Sequence, residues 1–140
     1  MVRPADDLRD GRKCILLRGG TTFGGETPLM SDATRWERTL FLSGRAAVDP
    51  ATGELRAEDF DGQMKIVLDD ALEVLELAGS GPEHVLRVEC WLSDPENFGA
   101  WNAGYQAAFP PPRPARTTLI SDLPLPGLLI EVQLTAAVPA

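Results

Sequence analysis

Two apolar periods alternate along this chain, and their order constrains the fold more than any other feature. From 57 to 79, Phe60, Met64, Val67, Leu68, Ala71, Leu75 and Ala78 recur at helical steps, while Lys65, Asp69, Glu73 and Glu76 fall on the other side. That is a helix with one apolar stripe to bury, and Gly79-Ser80-Gly81-Pro82 ends it. The period then drops to two. Leu86, Val88, Cys90 and Leu92 oppose Arg87, Glu89 and Trp91 in a predicted strand over 85–92. The same alternation returns at 128–136, with Leu128, Ile130, Val132, Leu134 and Ala136 on one face and Leu129, Glu131, Gln133 and Thr135 on the other.

The remaining elements fit between these. CILLR at 14–18 reads as a first strand, GGTTFGGETPLMSD after it as a long loop, and TLFLSGRAAV at 39–48 as one strand with Leu40, Leu42, Gly44, Ala46 and Val48 on a single face. Asp49-Pro50-Ala51-Thr52-Gly53-Glu54 has turn composition. Asp94 and Pro95 are a cap and first helical residue for a second helix carrying Phe98, Trp101, Asn102, Tyr105 and Phe109, stopped by Pro110-Pro111-Pro112. A strand over 116–121 completes the order β-β-α-β-α-β-β. The expected class is α/β (α+β): one domain over 1–140, with a polar lead at 1–13, a loop and first-strand region at 19–38, and a sheet with two helices packed on one face. Its other face is only partly polar, and packing against further copies in a closed ring would cover it.

Composition narrows the function classes. A chain of 140 residues can bury a core without staples. Cys14 and Cys90 form no CxxC and have no histidine nearby, so neither a disulfide scaffold nor a metal site is signalled. With 21 acidic against 13 basic side chains, a net charge of −8 repels phosphate, and nucleic acid is not an expected partner. The charged start MVRPADDLRDGRKC and the lack of a membrane-length apolar run predict a cytoplasmic chain with no membrane partner. The single histidine, His84, has no Ser or Cys partner placed by the sequence.

Two charged residues interrupt strands that are otherwise apolar or threonine-rich: Arg116 in RPARTTLIS and Glu131 in LLIEVQLTAA. The short connection between the strands makes them candidate neighbours in the sheet. A guanidinium fork matches a carboxylate, and a glutamate can position or deprotonate a water. A solvated strand end, a structural ion pair and a ligand site are all compatible with the residues alone.

The segments SGRAAVDPATGEL at 43–55, Gln63, LELAGSGPEHVLRVECWLSD at 75–94, FGAWNAGYQAAF at 98–109, PPRPARTTL at 111–119 and LIEVQLTAA at 129–137 together resemble the YjgF/RidA family of reactive-intermediate (imine/enamine) deaminases. The resemblance implies a chorismate-mutase-like fold, a homotrimer whose sheets form a central barrel, and clefts between subunits. It implies hydrolysis of 2-imino or enamine acids to 2-keto acids and ammonia. Arg116 would grip the substrate carboxylate and Glu131 would hold or activate water. Ser43, Gly44, Arg45, Asn102, Thr118 and Met30 would line the cleft, and Tyr105 would pack. No metal or organic cofactor is implied.

The chain departs from the family pattern at Leu29 or Met30, where a tyrosine is expected, at Arg45 in place of glutamine, and at Thr118 and Gln133. These differences leave room for a diverged member acting on another carboxylated imine, enamine or carbamate, or for a non-enzymatic trimer that binds a small acid. Ribonuclease activity, attributed to some relatives, fits least, because the chain is acidic and has no histidine pair.

Overall fold

A computed structural model describes residues 2–8 and 11–140. Among the described residues, eight strands and two α-helices follow the chain: β1 (Val2–Leu8), β2 (Arg12–Leu17), β3 (Ala33–Trp36), β4 (Thr39–Leu42), β5 (Arg45–Ala46), α1 (Phe60–Leu77), β6 (Val85–Leu92), α2 (Phe98–Ala108), β7 (Ala115–Ile120) and β8 (Ile130–Ala137). All eight strands join one sheet in the order β1-β2-β3-β4-β8-β6-β7, with β5 continuing beside β8. Among the described strands only β6 and β7 run parallel, because α2 carries the chain back between them.

The apolar stripe of α1 buries Phe60, Val67, Leu68, Ala71, Val74 and Leu75. These side chains share one core with Trp101 and Tyr105 of α2 and with the inward residues Val88, Cys90, Leu92, Ile130, Val132 and Leu134. Asp59 caps α1 by accepting from the Gly62 amide at 3.3 Å. The far face of the sheet leaves Trp36, Phe41 and Leu119 exposed.

Four sequence expectations are corrected. The polar lead contains β1, paired to β2 through backbone groups; VRPADDL shows no strand period, and its Pro4 is tolerated because β1 is an edge strand. The strand β3 was not expected either. It forms a hairpin with β4 through Glu37 and Arg38, and Glu37 takes a φ of 52° without the glycine that usually marks such a turn. The single strand expected over 39–48 breaks at Ser43-Gly44. From Phe41↔Thr135 to Arg45↔Val132, four steps on one strand oppose three on the other, a bulge that turns Ala46 to the side of Glu131 and away from the Leu40 and Leu42 face. Finally, Pro95–Asn97 is a 3-10 turn, capped by Asp94 at 2.8 Å from the Glu96 amide, and α2 itself starts at Phe98.

Candidate functional site

The bulge sets the first half of the site. Glu131 on β8 is paired with Ala46 and with Trp91, so it points away from the helices. Gly44, at the break, lies so close to its carboxylate that a β-carbon there would collide with Oε2. Glu131 makes no side-chain hydrogen bond or ion pair among the described residues, and burial raises its pKa above the usual glutamate range. The carboxyl therefore holds its proton more readily than an exposed glutamate.

Around it, the other expected residues already have partners. Arg45 donates to Asp32 at 2.7 Å, and Asp32, only 4% exposed, also accepts from the Leu17 amide at 2.6 Å. Ser43 donates its hydroxyl proton to the Ser31 carbonyl at 2.6 Å. Met30 borders the same region and is 41% exposed. A cavity of about 640 Å³ opens here, with Glu131, Gly44, Arg45 and Met30 in its wall.

The second half sits on the edge strand β7. Arg116 is level with Val88 and so turns to the helix side. Its guanidinium carbon lies 4.7 Å from the Tyr105 ring centre, 5.7 Å from Phe98 and 6.0 Å from Trp101, a cation held against aromatic faces. The Tyr105 hydroxyl donates to the Pro114 carbonyl at 3.1 Å, and burial raises its pKa even though Arg116 and Arg113 pull it down. Thr118 accepts from Trp101 Nε1 at 3.0 Å. Asn102, on the same helix, has a buried Oδ1 with no partner. Cys90, beneath Thr118 in the β6–β7 register, is pushed up to about 12 by burial and stays a thiol.

Arg116 and Glu131 are therefore not sheet neighbours. The strand β6 separates β7 from β8, and the two side chains leave the sheet on opposite faces. Among the described residues no carboxylate lies within ion-pair distance of Arg116, which removes the structural Arg–Glu pair as its explanation. Within one chain the expected residues thus form two groups, one around Glu131 and one around Arg116.

Sequence reasoning did not assign the parts played by Asp32, by the three rings or by Gln63. Asp32 neutralises Arg45, the three rings cradle Arg116, and Gln63, fully buried, ties the loop before β8 in place. Gln63 donates to the Ala57 and Gly127 carbonyls at 3.0 and 2.8 Å and accepts from the Leu129 amide at 2.8 Å. Gln63 was already among the positions that resemble the family, and a polar residue beside the apolar stripe of a predicted helix is a second signal. Among the described residues, no group of three or more His, Cys, Asp or Glu side chains is placed to hold a metal ion, and no helix is long and apolar enough to cross a membrane.

A mixed sheet with two helices on one face is the α+β architecture shared with solved structures of the YjgF/RidA kind. The family model described as Endoribonuclease L-PSP matches residues 26–138, and the chain belongs to that family. It is 34% identical over 107 residues to a RutC family protein of Pyrococcus horikoshii, covering 76% of this chain and 84% of that one. It is 30% identical to the mouse 2-iminobutanoate/2-iminopropanoate deaminase, over 76% of this chain and 78% of the relative. The crystal structure of RidA from an Antarctic Psychrobacter superposes with a TM-score of 0.72 at 25% identity, over 84% of this chain and 94% of the other.

Proposed function

We propose that the protein hydrolyses 2-imino acids, or their enamine tautomers, to 2-keto acids and ammonia, in a cleft formed where one copy presents Arg116 and the next presents Glu131. The observation that carries this reading is Arg116 itself, a cation held against three rings with no carboxylate among the described residues within ion-pair distance. A substrate carboxylate would supply that partner through two parallel N–H donors. The exposed Trp36, Phe41 and Leu119 on the far face of the sheet favour assembly of copies, and a closed trimer would bring opposite faces of two chains to one cleft.

The chemistry asks little of the protein. Glu131 takes a proton from a bound water as the water oxygen bonds to C2 of the imine. The C=N π electrons move to nitrogen, which takes up the proton and leaves a carbinolamine. Collapse of that species to the ketone breaks the C–N bond, and ammonia leaves with the hydroxyl proton. Fixing the carboxylate and the water in one geometry lowers the barrier by several kcal/mol, on the order seen for well-oriented groups. The single imidazole, His84, plays no part; it lies beside Glu83 at the turn before β6.

The test generates imines from amino acids with an oxidase and measures how far the protein diverts them from capture by semicarbazide. The native chain is expected to lower semicarbazone formation, and Arg116→Ala to lose at least about a hundredfold in kcat/KM. An Arg116→Ala variant as active as the native chain would falsify the mechanism. Saturable binding of a 2-keto acid without turnover would instead identify a binding protein. Light scattering reads the assembly, with three chains per particle expected.

A further inference from the structure

We propose that the imino acid taken by this site carries a large apolar side chain, seated in the cavity beside Glu131; the inference rests on the reaction proposed above and specifies its substrate. The cavity measures about 640 Å³ and has the Glu131 carboxyl in its wall. Pockets of roughly 300–1,000 Å³ accommodate drug-sized ligands, so the smallest such acid, derived from alanine, would leave most of this space unfilled. Its lining is largely apolar, with Leu17, Phe23, Met30, Val48, Leu125 and Leu128 facing the space.

The wall is built to last. The loop after β2 is fastened to the turn at 49–54 by three backbone bonds, from Thr22 and Phe23 to the Pro50 carbonyl at 2.8 and 3.1 Å and from Gly24 to the Ala51 carbonyl at 2.6 Å. Phe23 takes a φ of 47°, and its ring lies over Gly53, where an added β-carbon would come within 3.4 Å. A strained backbone holding a 39% exposed phenylalanine at a cavity edge is explained by an apolar occupant that covers it. On the opposite wall, the bonds made by Gln63 hold the loop that carries Leu125 and Leu128.

The charges in the same wall select against an acidic side chain. Each guanidinium there already faces a carboxylate: Arg45 meets Asp32 at 2.7 Å, Arg56 meets Asp70 at 2.9 Å, and Arg18 meets Glu73. Asp49, also in the wall, is committed to the Ala51 amide. A second substrate carboxylate would enter with no cation free to meet it among the described residues of the wall and with Asp49 and Glu131 repelling it. Met30, unbranched and partly exposed, can adapt to side chains of different shape.

The experiment compares imines made by D-amino acid oxidase from D-alanine, D-leucine and D-phenylalanine, and by D-aspartate oxidase from D-aspartate, each with catalase and semicarbazide present. The leucine- or phenylalanine-derived imine is expected to exceed the alanine-derived one by more than about tenfold in kcat/KM, the scale on which apolar pockets discriminate. The aspartate-derived imine is expected to be the poorest. A ratio of large to small at or below about tenfold overturns the inference while leaving the reaction intact. If none of the imines is hydrolysed faster than without protein, the reaction itself is overturned and the inference with it. Phe23→Ala and Met30→Ala should each narrow the ratio, with circular dichroism reporting which of them folds; an unchanged ratio in a folded variant removes the side chain from this cavity.

Discussion

Gly44 and Glu131 occupy one another's space: the glutamate carboxylate fills the position that a side chain at residue 44 would need. The contact exists because the bulge between β4 and β5 drops the backbone toward β8. A glycine there leaves the carboxyl unclamped and open to the cavity.

Gly44→Ala forces the Glu131 side chain out of its place. The expected stability cost is about 1–3 kcal/mol, the usual scale for inserting a carbon into a filled space. Imine hydrolysis should fall more steeply, by about a hundredfold, since a misplacement near 1 Å can cost that much. Urea unfolding and the semicarbazide assay on the same preparation separate the two effects, and retained activity would count against Glu131 as the group that handles water.

The raised pKa of Glu131 has a definite sign for stability. Burial disfavours its charged form, so the folded chain binds this proton more tightly than the unfolded chain does. Stability from this group is therefore gained as pH falls through the raised value toward the usual glutamate range, and is lost as pH rises back through it. Glu131→Gln should flatten the dependence between those limits. Unfolding midpoints measured from pH 7 downward would show it, and a variant with the native slope would refute the assignment. Activity should move the other way, falling as the base becomes protonated.

Gln63 holds three backbone groups: the Ala57 and Gly127 carbonyls and the Leu129 amide. Gln63→Leu would keep the helix and leave these polar groups without their partner. With Gly127 exposed and Ala57 and Leu129 half-buried, about 2–4 kcal/mol of stability should be lost, since the full 1–3 kcal/mol per unsatisfied group applies only to groups shut off from water. Hydrogen exchange at Leu129 is the most direct readout, and protection equal to the native chain would contradict this role.

Asp32→Asn would leave the Arg45 guanidinium, with a side chain 12% exposed, without its countercharge. Breaking a buried pair on one side costs about 3–5 kcal/mol. Replacing Arg45 and Asp32 together by Met and Leu should recover most of that loss. A double variant as unstable as the single one would show that the Leu17 amide bond, not the pair, is what Asp32 contributes.

Most of the strand and helix order was legible in the sequence because it rests on local periodicity. The stripe of α1, the alternation of β6 and β8, and the Asp94-Pro95 signal each encode which side must be dry, and the structure places them within a few residues of their expected bounds. The family followed from short segments in order, and it is borne out over residues 26–138. The hairpin at Glu37 was hidden because no glycine marks its turn, and the strand at Val2–Leu8 because it carries no apolar period, although Asp10-Gly11 after it is a turn signal in the sequence.

Arg116 and Glu131 could be singled out by residue type alone, as charges in strands that had no local need of them. Their relation could not. Chain order puts β7 next to β8, but the return of the chain through α2 makes β7 pair with β6, and β8 enters on the other side of β6. Strand order is settled by long-range backbone pairing and burial, which leave no mark in a short stretch of sequence. The sequence by itself determined most of the elements, the family and the two charged residues. Only the tertiary structure decided that those residues face opposite ways, that Arg45 is already neutralised by Asp32, and that an apolar cavity opens beside Glu131.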